Sequence, residues 1–405
     1  MTGCLSDAMA NSPGINPKAA TIVLGLGTLV SHGFGLSLIP AMLPKIEDSF
    51  DSGFAALGAA VAAGLAAYAM GGLASSRVLD WLPNRTVLNA SFIVTGTGLI
   101  IGATAASPAA LAIPVTLLGV AAPISWAATT HVAARSVSPG WRSLVMGGAA
   151  GGVGLGVIVN GGLVRFFSDL DEWRSALFVA SLISFGAVLG SLALFRTPID
   201  RPSTGMETVS GSSSYLRVLR TWPGRVVVLG SSVAGVGTYT FNTFLTTTAI
   251  EEMGSSATAT GALLWVMGAV GVVASLMLGR LGDRRSPTLI VGWMFLICTF
   301  GIGVAVVFWS YIALTVAVVG VAILNYPVWG LVAAVATNRF DPPGAVAAVS
   351  MGLVGASSLS AAANIAAGQW VDAVGDMRIP YAALALLTLL VGIWLMRNYR
   401  LHVAD

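Results

Sequence analysis

Residues 287–308 read PTLIVGWMFLICTFGIGVAVVF, an apolar run in which no side chain carries a charge. As an α-helix, a run of about 20 residues spans the roughly 30 Å of hydrocarbon in a lipid bilayer. The whole chain of 405 residues follows this pattern, with 56% hydrophobic and 9% charged residues, whereas a soluble domain carries roughly 25% charged residues. The composition excludes a water-soluble globule and predicts an all-α membrane protein.

Twelve apolar segments of this kind follow one another, separated by polar loops, prolines and charges. The break at 196–222 is the longest and is rich in Arg, Ser and Pro, which is typical of a linker. We therefore predict a disordered tail at 1–18, six-helix bundles at 19–195 and 223–397, a cytoplasmic linker at 196–222 and a second tail at 398–405. The twelve predicted helices lie at 19–43, 53–76, 86–106, 109–131, 143–167, 173–195, 223–250, 258–279, 287–308, 310–338, 345–370 and 379–397.

Charged residues are divided unequally between the two sides of the predicted bundle. Most of the 20 Lys and Arg fall in loops on one side, which is typical of the cytoplasmic side and predicts that both termini are cytoplasmic. The arginines are scattered between apolar segments, so we expect no nucleic-acid partner. Acidic residues collect on the other side, where we expect them to be solvated; they include Glu47, Asp48, Asp51, Glu251, Glu252, Asp372 and Asp376.

A sequence repeat relates the two predicted bundles. Arg77-Val-Leu-Asp80 follows the second segment, and Arg280-Leu-Gly-Asp283 follows the eighth. Arg174 and Arg378 begin the sixth and twelfth segments, at nearly the same offset. Two parallel six-helix repeats with a cavity between them near the midplane are a transporter architecture.

These residues carry a resemblance to a known family. The stretch from Gly279 to Arg284 resembles the G-x-L-x-D-R loop signature of the major facilitator superfamily, and the stretch from Arg77 to Arg85 is similar to its weaker first-half copy. Trp173-Arg174 resembles the start of the sixth helix in that family. The resemblance implies the twelve-helix major facilitator fold in a monomer embedded in the lipid bilayer of a bacterial inner membrane.

Four charged residues of the two loops are candidate gating residues: Arg77, Asp80, Asp283 and Arg284. Asp80 and Asp283 sit where a loop enters the next predicted helix, so each carboxylate could simply cap a helix N-terminus. The resemblance implies a second role, in which the charges hold the two halves of the protein in one access state. Both interpretations remain open at the level of the sequence.

His32 is the one formally ionisable residue that the predicted boundaries place well inside a span. A side chain that titrates near pH 6.5 can carry a proton, and an ionisable residue inside a membrane is a functional candidate by default. The alternative is a neutral imidazole that hydrogen-bonds between helices. We therefore consider His32 a candidate for contact with a proton or a substrate.

Polar and aromatic residues recur in the segments that the family uses for its cavity. Asn325-Tyr326-Pro327 also predicts a break in the tenth helix, because proline removes a backbone hydrogen bond. Together these residues predict a cavity of aromatic rings and uncharged hydrogen-bonding groups. The candidate substrate-binding residues are Trp126, Thr130, Tyr239, Asn242, Asn325, Tyr326 and Trp329.

The sequence favours secondary transport over other membrane functions. Phosphate loops, the HExxH motif, a nucleophile elbow and clusters of metal ligands are absent, so we predict no enzyme, no cofactor and no metal. We predict a proton-coupled carrier of a small organic molecule, with export favoured over uptake because Gly152-x3-Gly156 resembles a motif of drug/proton antiporters. The alternatives are a facilitated-diffusion carrier and a membrane sensor or enzyme without transport.

Overall fold

The protein is a bundle of long α-helices. The computed structural model describes residues 17–136, 142–167, 172–194, 218–282, 285–340 and 342–399. Nine of the helices in these ranges are uninterrupted: α2 Phe54–Trp81, α3 Asn84–Ala103, α4 Pro108–Ser136, α5 Arg142–Phe167, α6 Trp173–Leu194, α8 Ala257–Gly282, α9 Pro287–Phe308, α11 Pro342–Val374 and α12 Arg378–Asn398.

The other three membrane-length helices contain irregular turns. α1 consists of Pro17–Thr28, a π-helical turn at Leu29–Phe34, and Gly35–Ala41, and a short helix Leu43–Phe50 continues it. α7 consists of Trp222–Gly235, a π-helical turn at Val236–Thr240, Phe241–Thr247 and a second π-helical turn at Thr248–Glu252. α10 consists of Tyr311–Asn325 and Pro327–Arg339, so the break predicted at Asn325-Tyr326-Pro327 is confirmed.

Eleven helices in the described part of the chain are long and apolar enough to cross a membrane. α7 is not among them, although it is long enough to cross, because it is helical from Trp222 to Glu252. Its second half carries a dense set of polar residues that lower its hydropathy, including Thr238, Tyr239, Thr240, Asn242, Thr243, Thr246, Thr247 and Thr248. The all-α membrane fold predicted from composition is confirmed, and its least apolar span proves to be one that lines the cavity described below.

Two short loops predicted between neighbouring helices are present. Pro108 begins α4 directly after Ser107, whose Oγ accepts a hydrogen bond from Ala110 N at 3.2 Å. Trp309 ends α9 with a positive φ of 38°, and Ser310 then caps α10 by accepting a hydrogen bond from Ala313 N at 3.3 Å. Polar side chains thus satisfy backbone groups at both helix starts.

Several predicted features lie outside the described residues. They are most of the tail at 1–18, most of the linker at 196–222, the end of the tail at 398–405, and both Asp283 and Arg284. The boundaries of the two bundles therefore stay predictions.

The predicted position of Asp80 at the start of the third helix is wrong, because α2 continues to Trp81 and α3 begins only at Asn84. Asp80 thus lies in the last turn of α2, where the helix dipole is negative, and not at the N-terminus of α3.

The sequence repeat has a structural counterpart at Arg174 and Arg378. At the start of α6, Arg174 donates hydrogen bonds to Ala103 O and Ala105 O at the end of α3, at 3.0 and 2.7 Å. At the start of α12, Arg378 lies 5.0 Å from the ring centroid of Trp309 at the end of α9. Each arginine thus joins the sixth helix of its set to the third.

Close backbone contacts join the first six helices to the last six. A methyl group added at Gly161 of α5 would lie 2.6 Å from the carbonyl oxygen of Gly261 in α8. In α2, a methyl group at Gly58 would lie 3.1 Å from the carbonyl oxygen of Asn364 in α11. Small residues allow this approach, which supplies the packing between helices that lipid does not provide.

One end of the bundle carries many acidic residues, and described residues there make hydrogen bonds between the two sets of helices. We call this end the acidic face and define it by Glu47, Asp48, Asp51, Glu251, Glu252 and Asp372. There, the carboxylate of Asp372 in α11 accepts hydrogen bonds from Phe54 N and Ala55 N at 2.9 and 3.0 Å, and so caps α2. Thr246 of α7 also donates to Pro40 O of α1 at 3.2 Å. Asp372 is therefore a structural contact between the halves as well as a surface acid.

The α5–α8 contact predicts opposite effects for two neighbouring glycines. In Gly161→Ala, the new methyl group meets the Gly261 carbonyl and the Trp265 ring, so we expect overpacking to destabilise the protein by about 1–3 kcal/mol. The matched control is Gly162→Ala, because Gly162 has no atom within 4 Å of the added methyl group among the described residues. Alanine there should leave the melting temperature unchanged or raise it. Equal melting temperatures for the two variants would contradict the close contact.

Candidate functional site

A cavity lies between the two sets of helices, and both contribute to its walls. The space within which the centre of a water molecule fits has a volume of about 80 Å³. This is several times the ~10–15 Å³ that a site for one water requires. Val61 and Leu65 of α2 line it, and Gly58 lies one turn closer to the acidic face, where α2 meets α11. The helix contacts described above therefore close the cavity toward the acidic face.

Seven of the eight candidate substrate- or proton-binding residues line this cavity. His32 comes from α1 and Trp126 from α4, whereas Tyr239 and Asn242 come from α7 and Asn325, Tyr326 and Trp329 from α10. Thr130 is the exception. It lies one turn beyond Trp126 and donates to the Trp126 carbonyl at 2.9 Å, so it is outside the cavity wall.

A π-helical turn in α1 positions His32. The turn covers Leu29–Phe34, and π-helical turns occur frequently at functional sites. It packs on α5, where a methyl group at Gly33 would lie 2.6 Å from the Cα of Gly156. Asn160 of α5 donates to Gly33 O at 2.8 Å, which satisfies a carbonyl group of the irregular turn. Glycines of α5 thus allow a close contact with α1.

The imidazole of His32 lies between two hydroxyl groups. Ser31 Oγ donates to Gly27 O at 2.8 Å and lies 2.9 Å from His32 Nδ1. When the Ser31 proton is engaged by Gly27, its oxygen is free to accept from Nδ1–H. His32 Nε2 lies 3.4 Å from the hydroxyl of Tyr68 in α2, and that hydroxyl can donate to a bare nitrogen or accept from a protonated one. Both protonation states of Nε2 therefore have a partner.

A second π-helical turn positions Tyr239 in α7. The turn covers Val236–Thr240, so the first helix of each set carries one near the cavity. The Tyr239 ring lies 5.9 Å from that of Trp329, with an angle of 17° between the planes. It also meets the ring of Tyr68 edge-on at 6.5 Å. Tyr239 thus joins the aromatic side chains of the two sets of helices.

Uncharged groups supply the polar part of the cavity. Asn325 and Tyr326 reach it because α10 breaks between them and Pro327. The Oδ1 atom of Asn242 is buried and has no hydrogen-bond partner among the described residues. Among the lining residues that the structure describes, none is Asp, Glu, Lys or Arg, and the described residues contain no cluster of His, Cys, Asp and Glu that could hold a metal.

Acidic groups lie instead at the acidic face, where they influence one another. Burial raises the pKa of Glu47, and so do the nearby charges of Asp48 and Glu251. Burial raises the pKa of Glu252 to about 7, although its carboxylate accepts hydrogen bonds from Met377 N at 3.1 and 3.0 Å. Of the candidate gating residues, Arg77 is exposed near the end of α2, away from the cavity.

Sequence reasoning missed Tyr68, which contacts both His32 and Tyr239. Its signal was weak but present, because Tyr68 is the single aromatic residue in the middle of a span rich in alanine and glycine. Ser37 and Thr243 also line the cavity and were not singled out. Their positions follow from the π-helical turns, which shift the register of α1 and α7 and have no pattern that we identified in the sequence.

Two comparisons with known proteins agree on the fold. The crystal structure of a mutant of the nucleoside transporter NupG is similar with a TM-score of 0.68 and 15% sequence identity, over 94% of this chain and 99% of that one. The family model of the Major Facilitator Superfamily matches residues 25–363. This agreement confirms the twelve-helix fold, in which α7 is the one described helix of membrane length whose hydropathy is below that of the other spans. The chain belongs to the major facilitator superfamily of transporters.

Proposed function

We propose that this protein is a proton-coupled secondary transporter that moves a small organic solute across a bacterial inner membrane by alternating access. The observation that carries the proposal is the cavity between the halves, with a buried histidine in its wall. The acidic face is outside, as the distribution of Lys and Arg favours, and both termini are cytoplasmic. Export is the proposed direction, and the support for it is the antiporter-like glycine spacing of α5.

His32 is the proposed site of the coupled proton. The Ser31 hydroxyl holds Nδ1–H, so Nε2 is the atom that gains and loses the proton, with Tyr68 as its partner. The hydroxyl of Tyr68 must reverse its hydrogen bond when Nε2 changes state. Because Tyr68 also contacts the Tyr239 ring, this reversal changes the interactions at the boundary between the halves. Coupling follows if the solute and the proton favour different access states.

The cap formed by Asp372 belongs to the state closed toward the acidic face. For the cavity to open to that side, α2 and α11 must separate, and both hydrogen bonds of the carboxylate must break. A solute that binds the cavity more tightly in one state shifts this equilibrium by its difference in affinity. Asp372 therefore contributes to the balance of states without contact with the solute.

The role of His32 predicts a separation of two activities. In reconstituted vesicles, His32→Gln should lower transport driven by a pH gradient at least roughly tenfold, because glutamine cannot carry the proton. Counterflow, which needs no net proton movement, should stay within about twofold of wild type.

The control for His32 is His131→Gln. His131 lies outside the cavity wall, with its Nδ1 3.0 Å from Asn84 Oδ1, so both activities should persist. Transport driven by pH at the wild-type level in a well-folded His32→Gln protein would assign the proton elsewhere, or favour facilitated diffusion.

The Asp372 cap predicts a change in access. Asp372→Ala removes both acceptors, and hydrogen bonds to a charged group contribute about 1.5–3 kcal/mol, so labelling from the acidic face should become at least roughly tenfold faster. The reporter is Val61→Cys in a background without Cys4 and Cys298. The control is Asp376→Ala, since Asp376 accepts from Arg378 N within its own half at 2.7 Å. Equal labelling rates in both variants would refute the role of the cap.

A further inference from the structure

Five aromatic rings follow one another around the cavity. The His32 ring meets that of Trp126 at 5.7 Å and that of Tyr68 at 6.1 Å, both edge-on. Tyr68 meets Tyr239, which stacks on Trp329. The series uses helices from both sets, so a solute in the cavity contacts rings on each side. Aromatic faces and edges of this kind favour another flat ring over an aliphatic body of equal size.

The Tyr239–Trp329 pair offers the best match to a planar solute. The two rings are nearly parallel, 17° apart, and both residues are part of the cavity wall. A third ring placed against this pair extends an existing stack. Because the pair is formed already, the cost of ordering its side chains is not incurred when the solute binds.

The charge of the solute is restricted by the cavity wall. A carboxylate would find no Lys or Arg and, while His32 is neutral, no positive charge; a cation would find no Asp or Glu among the described lining residues. Rings alone attract cations, but a buried charge without a charged partner is costly. The acids of the acidic face lie beyond the contacts that close the cavity. An uncharged solute avoids this cost.

The side chain of Asn242 adds a requirement for a hydrogen-bond donor. Its Oδ1 atom is buried and has no partner among the described residues, and a buried acceptor without a partner is destabilising. Asn242 lies in the cavity wall on α7, in the turn that follows Tyr239. A solute that stacks on the Tyr239 ring and carries an N–H at its edge can supply the missing donor.

From these observations we infer that the solute is a flat, uncharged heteroaromatic molecule with an N–H group at its edge. Its ring extends the stack that Tyr239 and Trp329 form, and its N–H donates to Asn242 Oδ1. This inference rests on the proposed transport function, because it identifies the chemical class that the same cavity moves. It does not depend on proton coupling or on direction.

Thermal unfolding of the purified protein tests the class with matched compounds at about 10 mM. The probes are 2-quinolone, its ring-saturated analogue, its N-methyl derivative, quinoline-2-carboxylate and benzyltrimethylammonium. Because a ligand that binds the folded state stabilises it, we expect 2-quinolone to raise the melting temperature by at least about 2 °C and each of the others to raise it by less than half as much. No shift with 2-quinolone, or a larger shift with the saturated or a charged compound, would overturn the inference.

Two variants separate the stacking contact from the hydrogen bond. Trp329→Leu should weaken binding of 2-quinolone at least roughly tenfold, and the control Trp293→Leu should not, since Trp293 is an exposed residue of α9. Asn242→Leu should abolish the preference for 2-quinolone over its N-methyl derivative, which we expect to be at least about fivefold in the wild type. Persistence of that preference would remove Asn242 from the inference.

Flux measurements in vesicles distinguish failure of the inference from failure of the proposed function. Binding of 2-quinolone without counterflow would leave the solute class intact and contradict transport. Counterflow of a charged or saturated solute, without that of the aromatic compound, would confirm transport and overturn the solute class. Counterflow of 2-quinolone that is lost in Trp329→Leu and kept in Trp293→Leu would support both.

Discussion

The close approach of helices across the boundary between the two halves is the constraint on which the rest of the structure depends. In lipid no hydrophobic force drives helices together, so dispersion contacts between closely packed backbones must do so. Gly161 and Gly261 allow α5 and α8 to meet without side chains between them. α2 and α11 meet in the same way near the acidic face, and the cavity occupies the space beyond that contact.

The membrane environment also explains which polar groups stand out as functional. Many hydroxyl groups in these helices are satisfied by a carbonyl of the preceding turn, as in Ser184 with Ala180 O and Thr238 with Ala234 O. Such residues cost little in lipid and carry no functional signal. Asn242 differs, because its oxygen lacks a partner among the described residues and its side chain lines the cavity. His32 differs as well, because its ring nitrogens face hydroxyl groups from two helices.

Features set by local sequence were the ones that could be predicted. The apolar segments located the helices to within a few residues at most ends, and Pro327 predicted the break in α10, because proline cannot donate a backbone hydrogen bond. His32 was identified because an ionisable group in an apolar run is rare. The predicted position of Asp80 was wrong because the sequence after residue 76 has no strong stop signal for a helix. The prediction therefore ended α2 several residues before Trp81, where the helix ends in the structure.

Features set by tertiary contacts were not predictable. The π-helical turns of α1 and α7 depend on packing against neighbouring helices, as the bond from Asn160 to Gly33 O illustrates. Tyr68 and Asp372 act through residues far from them in sequence, and an exposed acid that caps a distant helix looks the same as a solvated one. No local pattern separates the two kinds of acid, and for Tyr68 the sequence offers only a lone aromatic residue in the middle of a span rich in alanine and glycine.

The central claim is that one cavity is reached from both sides of the membrane in turn. The most direct measurement is labelling of Ser37→Cys, a cavity residue, by a membrane-impermeant thiol reagent in vesicles of each orientation, with Cys4 and Cys298 replaced. The account predicts labelling from both sides, whereas Ser256→Cys at the start of α8 and Ser286→Cys before α9 should each react from one side only. Reaction of Ser37→Cys from a single side, with or without a transported solute, would contradict it.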